Sequence, residues 1–114
     1  MSKDDLVYVG HMLDMARKAH GKTQGISRRQ YAADENLRIA LAHIIQVIGE
    51  AARKVSQKYR DAHPEISWKA IVGMRHKVVH DYLNIDEDIV WQTATQELPV
   101  LVSQLEGLLA TRGE

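Results

Sequence analysis

The chain contains no cysteine, which excludes disulfide bonds, thiolate nucleophiles and thiolate metal ligands. Its first five residues, MSKDD, are polar and lack the apolar run of a secretory signal peptide. The densest apolar segment, residues 37–48, is too short to cross a bilayer and contains Arg38, His43 and Gln46. We therefore expect a cytoplasmic protein without a membrane partner.

Several motifs of catalysis and ligand binding are also missing. Gly49 and Gly73 stand alone, so there is no glycine-rich phosphate loop, and no Ser-His-Asp or Cys-His arrangement is present. His76 and His80 are four residues apart and would share a helix face, as in helical zinc sites. No glutamate follows the first of them and no third ligand stands at a suitable spacing, so we expect neither a metal nor a cofactor.

Length and composition predict one folded domain, residues 1–114. The chain is 45% apolar and 26% charged, which is typical of a soluble globular protein. Its 15 basic and 15 acidic residues cancel, which argues against a general nucleic-acid coat. The charges are uneven, however, because residues 53–79 hold seven Lys/Arg against two acids, whereas residues 80–114 hold seven acids against one Arg. The basic stretch can attract phosphates, although each lysine also fits a solvated helix face.

Apolar residues recur every three or four positions along the chain, and no segment shows the alternation of a strand. The pattern predicts an all-α fold, a small bundle of four or five helices. A first helix would begin after an N-terminal capping box and end near Gly21, with residues 21–25 as a flexible connection. Ser27 and Asp34 predict the starts of a short helix and of a long helix that follows it.

The long helix is the predicted scaffold of the bundle. Its apolar seam has the spacing of a helix that packs lengthwise against another, at Leu37, Leu41, Ile44, Ile48, Ala51 and Val55. Further apolar residues broaden this surface, namely Ile39, Ala42, Ile45 and Ala52. So broad a surface requires either complete internal burial or a subunit interface, and we favour self-association as a homodimer.

Two further helices complete the predicted bundle. The HPEIS segment at 63–67 breaks the preceding helix, because proline disfavours helix in the residue before it, and its serine caps a helix through Val79. Asp86 begins a last helix over about residues 87–109. Pro99 should kink that helix, because proline removes a backbone donor.

The chemically richest segment is MRHKVVHDY at 74–82. Arg75 can hold a phosphate through two parallel hydrogen bonds and stabilise charge on a five-coordinate phosphorus. His80 can act as the base for a ribose 2′-hydroxyl or as the acid for the leaving 5′-oxygen. His76 would assist or orient, and Tyr82 would bond a phosphate oxygen. Together these residues predict RNA cleavage without a metal, with a 2′,3′-cyclic phosphate as the product.

Helix geometry alone does not bring Arg75 and His80 together, since five residues separate them by about 140° on a regular helix. The site requires either that the helix ends near Val79 or that a second copy of the chain completes it. An arginine and a histidine at this spacing are common by chance, and a lone Tyr82 is more often a packing residue. Glu50, a carboxylate on an apolar helix, would orient Arg75 or a histidine, or be an ordinary surface charge.

Six short segments occur in a fixed order along the chain: VIGEAA at 47–52, HPEISW at 63–68, GMR at 73–75, HDY at 80–82, VW at 90–91 and LP at 98–99. This ordered set resembles the HepT-like (DUF86) branch of the HEPN superfamily, across about residues 4–109. The resemblance implies an all-helical HEPN fold that dimerises, with the R-x4-H-x-Y motifs meeting in a cleft between the subunits. Members of the family are metal-independent endoribonuclease toxins.

The resemblance also implies residue roles and a partner. Arg75 and His80 match the catalytic pair, and Tyr82 matches the tyrosine that the antitoxin, a minimal nucleotidyltransferase, modifies with AMP. The residue after the arginine is most often asparagine in the family, whereas here it is His76, whose role can differ. Asp81 stands where many relatives have a small residue, and its charge would raise the pKa of the neighbouring histidine or hinder the approach of RNA.

The leading interpretation is therefore a toxin ribonuclease that acts on transfer RNA or messenger RNA. The alternative is a catalytically silent HEPN module that binds a nucleotidyltransferase or a nucleotide, and a third is a plain helical structural subunit. The presence of both Arg75 and His80 favours the first interpretation over the second.

Overall fold

The computed structural model describes residues 3–81 and 84–112. Its elements are α1 (Lys3–Thr23), α2 (Arg28–Ala33), α3 (Glu35–Lys54), α4 (Gln57–Ala62), α5 (Trp68–Val78), β1 (Val79–Asp81), β2 (Asn84–Ile85), α6 (Glu87–Gln92), a π-helix (Thr93–Glu97) and α7 (Leu98–Arg112). Helices dominate these residues and pack around one apolar core, which confirms the all-α class and the small helical bundle.

The described residues form more helical segments than the four or five predicted, because two of the predicted helices are each divided in the structure. The long helix ends at Lys54, and α4 starts after Ser56, whose hydroxyl accepts a hydrogen bond from the Tyr59 amide at 3.2 Å. The buried Asp5 carboxylate accepts hydrogen bonds from the Ser56 amide and hydroxyl, both at 2.8 Å. The start of α1 is thereby tied to the end of α3, so the two helices run antiparallel.

The first helix is longer than the sequence predicts. It continues past Gly21 to Thr23, and the Thr23 hydroxyl donates a hydrogen bond to the Ala19 carbonyl at 3.0 Å. Gly25, with φ of 77°, takes the left-handed conformation that ends such segments. The prediction of a helix end at Gly21 was wrong because an internal glycine costs a helix only about 1 kcal/mol.

The capping residues predicted at Ser27, Asp34 and Asp86 act as expected, whereas the predicted N-terminal capping box begins at Ser2, outside the described residues. Ser27 and Gln30 form a reciprocal capping box at the start of α2, with distances of 3.1 and 2.8 Å. The Asp34 side chain caps α3 by accepting a hydrogen bond from the backbone amide three residues further along the chain, at 3.0 Å. Asp86 caps α6 in the same way, at 3.1 Å. These short-range signals place the helix starts within a residue.

Helix α3 is the scaffold, with α1 and α5 packed against it and α7 packed against α1. Its predicted seam faces inward: Leu41, Ile44, Ile48, Ala51 and Val55 are buried and Leu37 is half-buried. Of the residues predicted to broaden that surface, Ala42, Ile45 and Ala52 are buried, whereas Ile39 is 60% exposed. The bundle itself thus covers most of the broad apolar surface.

The π-helix directly precedes Pro99, where the sequence predicts a kink. The Leu98 amide donates to the carbonyl of Thr93, five residues back, instead of to the fourth. Because Pro99 has no amide hydrogen and its ring crowds the preceding turn, the wider turn accommodates it without ending the helix. Thr93 and Ala94 in this turn are buried.

The end of α5 leads directly into the only strand pair within residues 3–81 and 84–112. Strand β1 pairs with β2 in the antiparallel sense, with Val79 opposite Ile85 and Asp81 opposite Asn84. The amide of Asp86 donates to the Val78 carbonyl at 2.8 Å and closes the hairpin base. The expectation of no strand was wrong here because such short strands carry no readable alternation.

Candidate active site

Arg75 lies in the last turn of α5, with its side chain 56% exposed. Its Nη1 donates a hydrogen bond to Oε2 of Glu50 on α3 at 3.3 Å. The other carboxylate oxygen of Glu50 accepts from Nη2 of Arg53 at 2.7 Å. The Glu50 carboxylate therefore accepts hydrogen bonds from two guanidinium groups. It holds the Arg75 guanidinium at the surface, where a phosphate can reach it.

Gly49 allows this contact by letting α5 approach α3 closely. A Cβ atom at this position would lie 3.3 Å from the Ile71 carbonyl oxygen, 3.6 Å from that of Val72 and 3.9 Å from Cβ of Arg75. Gly49 thus lies against the backbone of α5 one turn before Arg75. The sequence analysis gives this glycine no role, although an isolated glycine inside an apolar helical pattern can indicate a close helix contact.

The charges around Glu50 favour its ionised form. The Arg53 hydrogen bond is the largest cause that lowers the pKa of Glu50 below its ordinary value, and the charges of Arg53 and Arg75 lower it further. The same contact raises the pKa of Arg53. Glu50 therefore carries its charge at neutral pH and remains an acceptor for both guanidinium groups.

Arg75 borders an open depression of about 370 Å³ on the outer face of α3, which is also lined by His43, Gln46, Val47 and Glu50. His43 is exposed, and the Gln46 side-chain amide donates to the Ala42 carbonyl at 3.3 Å. The sequence analysis gives His43 no part in the site, and the structure places it beside Arg75. The depression thus combines a cation, an imidazole and an amide, all of which can donate to phosphate oxygens.

The structure describes the other residues of the predicted motif only in part. His76 is exposed and follows Arg75 by about 100° around the helix, and it does not line the depression. Because α5 ends at Val78, the backbone of His80 lies in β1 and the helical separation of 140° no longer applies. The side chain of His80, and Tyr82 as a whole, lie outside the part of the chain that the structure describes.

The hairpin is followed by α6, which is anchored to α2 and α3. The fully buried Tyr31 donates its hydroxyl to the Glu87 carboxylate at 2.8 Å, and Arg38 Nε lies 3.2 Å from the other carboxylate oxygen. Burial and the Glu87 carboxylate raise the pKa of Tyr31, so its hydroxyl stays protonated as a donor. An exposed ion pair between Arg28 and Asp88 lies beside them. These contacts secure one end of the hairpin that carries His80.

The predicted basic stretch is only partly available to a ligand. Arg60 is engaged in the fold, because its guanidinium donates to the carbonyls of Val55 at 3.1 Å, Ala52 at 3.0 Å and Arg53 at 2.8 Å. It thereby satisfies the open end of α3. The lysines of this stretch are exposed, at positions 54, 58, 69 and 77.

Residues 3–81 and 84–112 contain neither a metal-binding cluster nor a membrane-spanning helix. No group of three or more His, Asp or Glu side chains there is arranged to hold a metal ion. No helix in the same residues combines the length and the apolar character needed to span a membrane.

Comparisons with known proteins agree with one another. Residues 12–108 match the family model described as "Ribonuclease HepT-like". "Putative RNase TTE0752" of Caldanaerobacter subterraneus subsp. tengcongensis is 31% identical over 102 residues, which cover 90% of this chain and 91% of the relative. "Putative RNase MJ1380" of Methanocaldococcus jannaschii is 27% identical over 93% of this chain and 98% of its own. "Probable ribonuclease HepT" of Thermococcus cleftensis is 29% identical over 75% of this chain and 78% of its own. No solved structure matches.

Proposed function

The chain belongs to the HepT-like ribonuclease family, and from this premise we propose that it is a metal-independent endoribonuclease that acts as the toxin of a toxin–antitoxin pair. The observation that carries the proposal is the exposed Arg75, which Glu50 holds at the rim of a depression directly before the hairpin of His80. The family match extends over the whole of this region.

The proposed reaction needs no group beyond the side chains of the motif. One histidine removes the proton of a ribose 2′-hydroxyl, whose oxygen attacks the neighbouring phosphorus, and the bond to the 5′-oxygen breaks as that oxygen gains a proton from an acid. The products are a 2′,3′-cyclic phosphate and a free 5′-hydroxyl. Arg75 stabilises the extra negative charge on the phosphorane. Two protomers in a homodimer would supply both the acid and the base as copies of His80.

Glu50 and His76 have supporting roles in this proposal. The Glu50 carboxylate binds Nη1 of the Arg75 guanidinium, so the arginine keeps a defined direction while more than half of its side chain stays exposed. Because Glu50 is held by Arg53 as well, it can remain in place when a phosphate binds Arg75. The exposed His76 would contact RNA outside the depression.

Tyr82 is the proposed site at which the ribonuclease activity is regulated. Transfer of AMP to its hydroxyl by a partner nucleotidyltransferase would add an anion and the bulk of a nucleotide close to Arg75. Such a group would compete with an RNA phosphate for the arginine, both electrostatically and sterically.

The test is RNA cleavage by the purified chain in the presence of a chelator. Wild type is expected to cut transfer RNA or messenger RNA to fragments with cyclic phosphate ends. Arg75→Ala and His80→Ala are expected to lose at least about a hundred-fold in rate, in line with the loss of a transition-state donor or a proton-transfer group. Arg29→Ala, which removes an exposed arginine of α2, is the matched control and should cleave normally.

Two outcomes would contradict the proposal. The nuclease function fails if wild type leaves RNA intact, or if all three variants cleave as wild type does. A chain that binds a nucleotidyltransferase but never cleaves RNA would establish the catalytically silent alternative.

A further inference from the structure

A groove of about 460 Å³ runs along the contact between α1 and α3. The α1 wall presents one stripe of side chains at helical spacing, formed by Tyr8, His11, Met15 and Lys18. The α3 wall presents Val47, Glu50, Ala51 and Lys54. Since positions 47 and 54 are seven residues apart, this wall is about 10 Å long, which suits one nucleotide.

The groove adjoins the depression that contains Arg75. Val47 and Glu50 line both the groove and the depression, because α1 and α5 pack on either side of α3 and these two residues lie between them. An RNA strand with one phosphate at Arg75 therefore reaches the groove as soon as it crosses α3.

The groove combines an aromatic ring with cations. Nζ of Lys54 lies 5.9 Å from the ring centroid of the half-buried Tyr8, and Lys18 adds a second ammonium group. The charged residues that line the groove balance, with Lys18 and Lys54 against Asp14 and Glu50. Arg53 and Arg75 both bind the Glu50 carboxylate at the edge of the groove, and with them the region has a formal surplus of two positive charges. Single-stranded RNA is bound by just this combination, in which bases stack on aromatic rings and cations take the phosphates.

We propose that this groove is a nucleotide subsite, in which the base next to the scissile phosphate stacks on Tyr8 and the phosphate beyond that base contacts Lys54. The assignment rests on the proposed ribonuclease function. A ring face accepts any base, so the subsite selects unpaired RNA over duplex RNA with little preference among bases. Lys54 is exposed on a flexible stem and can follow the phosphate while the ring of Tyr8 takes the base.

The charged rim argues against a second copy of the chain as the occupant. His11, Asp14, Lys18 and Lys54 are all exposed around the groove. Charged residues are depleted from the cores of protein interfaces, whereas a polyanion gains from the cationic surplus by releasing counterions.

The subsite is tested with a short 2′-O-methyl oligoribonucleotide, which lacks the attacking hydroxyl and so reports binding alone. The probe carries a fluorescent label, and its polarisation is measured with the full chain. Tyr8→Leu keeps an apolar side chain against the core but removes the ring, and is expected to weaken binding about ten-fold. Tyr8→Phe keeps the ring and should bind as wild type does.

The lysine is tested through salt dependence. Lys54→Ala is expected to lower the slope of log affinity against log salt by about 0.7, the value for one phosphate contact in a single strand. Lys58→Ala removes an exposed lysine of the same basic stretch outside the groove and should leave the slope unchanged.

The outcomes separate this inference from the nuclease itself. If wild type cleaves RNA while Tyr8→Leu binds the probe as tightly as Tyr8→Phe, the subsite is wrong and the ribonuclease function stands. If Tyr8→Leu instead changes only the dissociation of a dimer, the groove is a protein interface and the inference is overturned. If wild type never cleaves RNA, a Tyr8-dependent affinity still supports the groove as a nucleotide site, and the nuclease proposal alone fails.

Discussion

The Arg75 guanidinium lies 3.3 Å from the Glu50 carboxylate, across 25 positions of sequence and the contact between α5 and α3. The same carboxylate binds Arg53 one turn further along its own helix. The proposed phosphate-binding arginine is therefore oriented by the central helix of the bundle and not by its own helix alone.

Glu50 should titrate below the ordinary range of a glutamate, and its pKa should rise more in Arg53→Ala than in Arg75→Ala, because the Arg53 hydrogen bond is the largest cause of the shift. Since the pKa is lower in the folded state, the contribution of this carboxylate to stability is complete above the ordinary glutamate pKa. It is lost as the pH falls through the lowered value. Carboxyl NMR titration of the three proteins measures this, and equal shifts in both variants would contradict it.

Gly49→Ala should destabilise the protein by about 1–2 kcal/mol, because the added methyl group lies 3.3 Å from the Ile71 carbonyl oxygen and forces α5 away from α3. The same movement should weaken the contact between Arg75 and Glu50. Gly10→Ala is the control, since a methyl group on that α1 glycine meets nothing within 4 Å and should stabilise the helix by up to about 1 kcal/mol. Thermal unfolding at one protein concentration compares them, and a stabilised Gly49→Ala would refute the close packing.

Asp5→Asn should cost about 2 kcal/mol, because the buried carboxylate accepts two hydrogen bonds from Ser56 and an amide supplies only one accepting atom. Asp14→Asn, at an exposed position further along the same helix, should change stability by less than about 0.5 kcal/mol. Denaturant unfolding of the two variants gives the difference. Similar values for both would mean that the link between α1 and the α3–α4 junction carries no stability.

Tyr31→Phe should destabilise the protein by about 1 kcal/mol, because it deletes the hydroxyl that donates to Glu87 inside the α2–α6 contact. Hydrogen exchange should quicken first in α6, which this bond anchors. Arg29→Ala on the same short helix is exposed and should leave both quantities unchanged. Unaltered exchange in α6 of Tyr31→Phe would show that the anchor lies elsewhere.

Short-range chemistry made much of the fold predictable. The helix starts at Ser27, Asp34 and Asp86 followed from side chains that accept hydrogen bonds from nearby amides, and these partners are always three residues away. The inward seam of α3 followed from helical periodicity. The helix end at Gly21 and the absence of strands were predicted wrongly, because glycine tolerates several conformations and the hairpin strands span too few residues to show a pattern.

The sequence by itself determined the helical bundle, the order of its capping signals and the family resemblance of the segment from Arg75 to Tyr82, since each of these depends on neighbours along the chain. The tertiary structure alone decided that Glu50 is shared by Arg53 and Arg75, that Gly49 lets α5 approach, and that Tyr8 and Lys54 lie in one groove. Those relationships join helices that are distant in sequence, and their distances are set by how the side chains of the core pack between them.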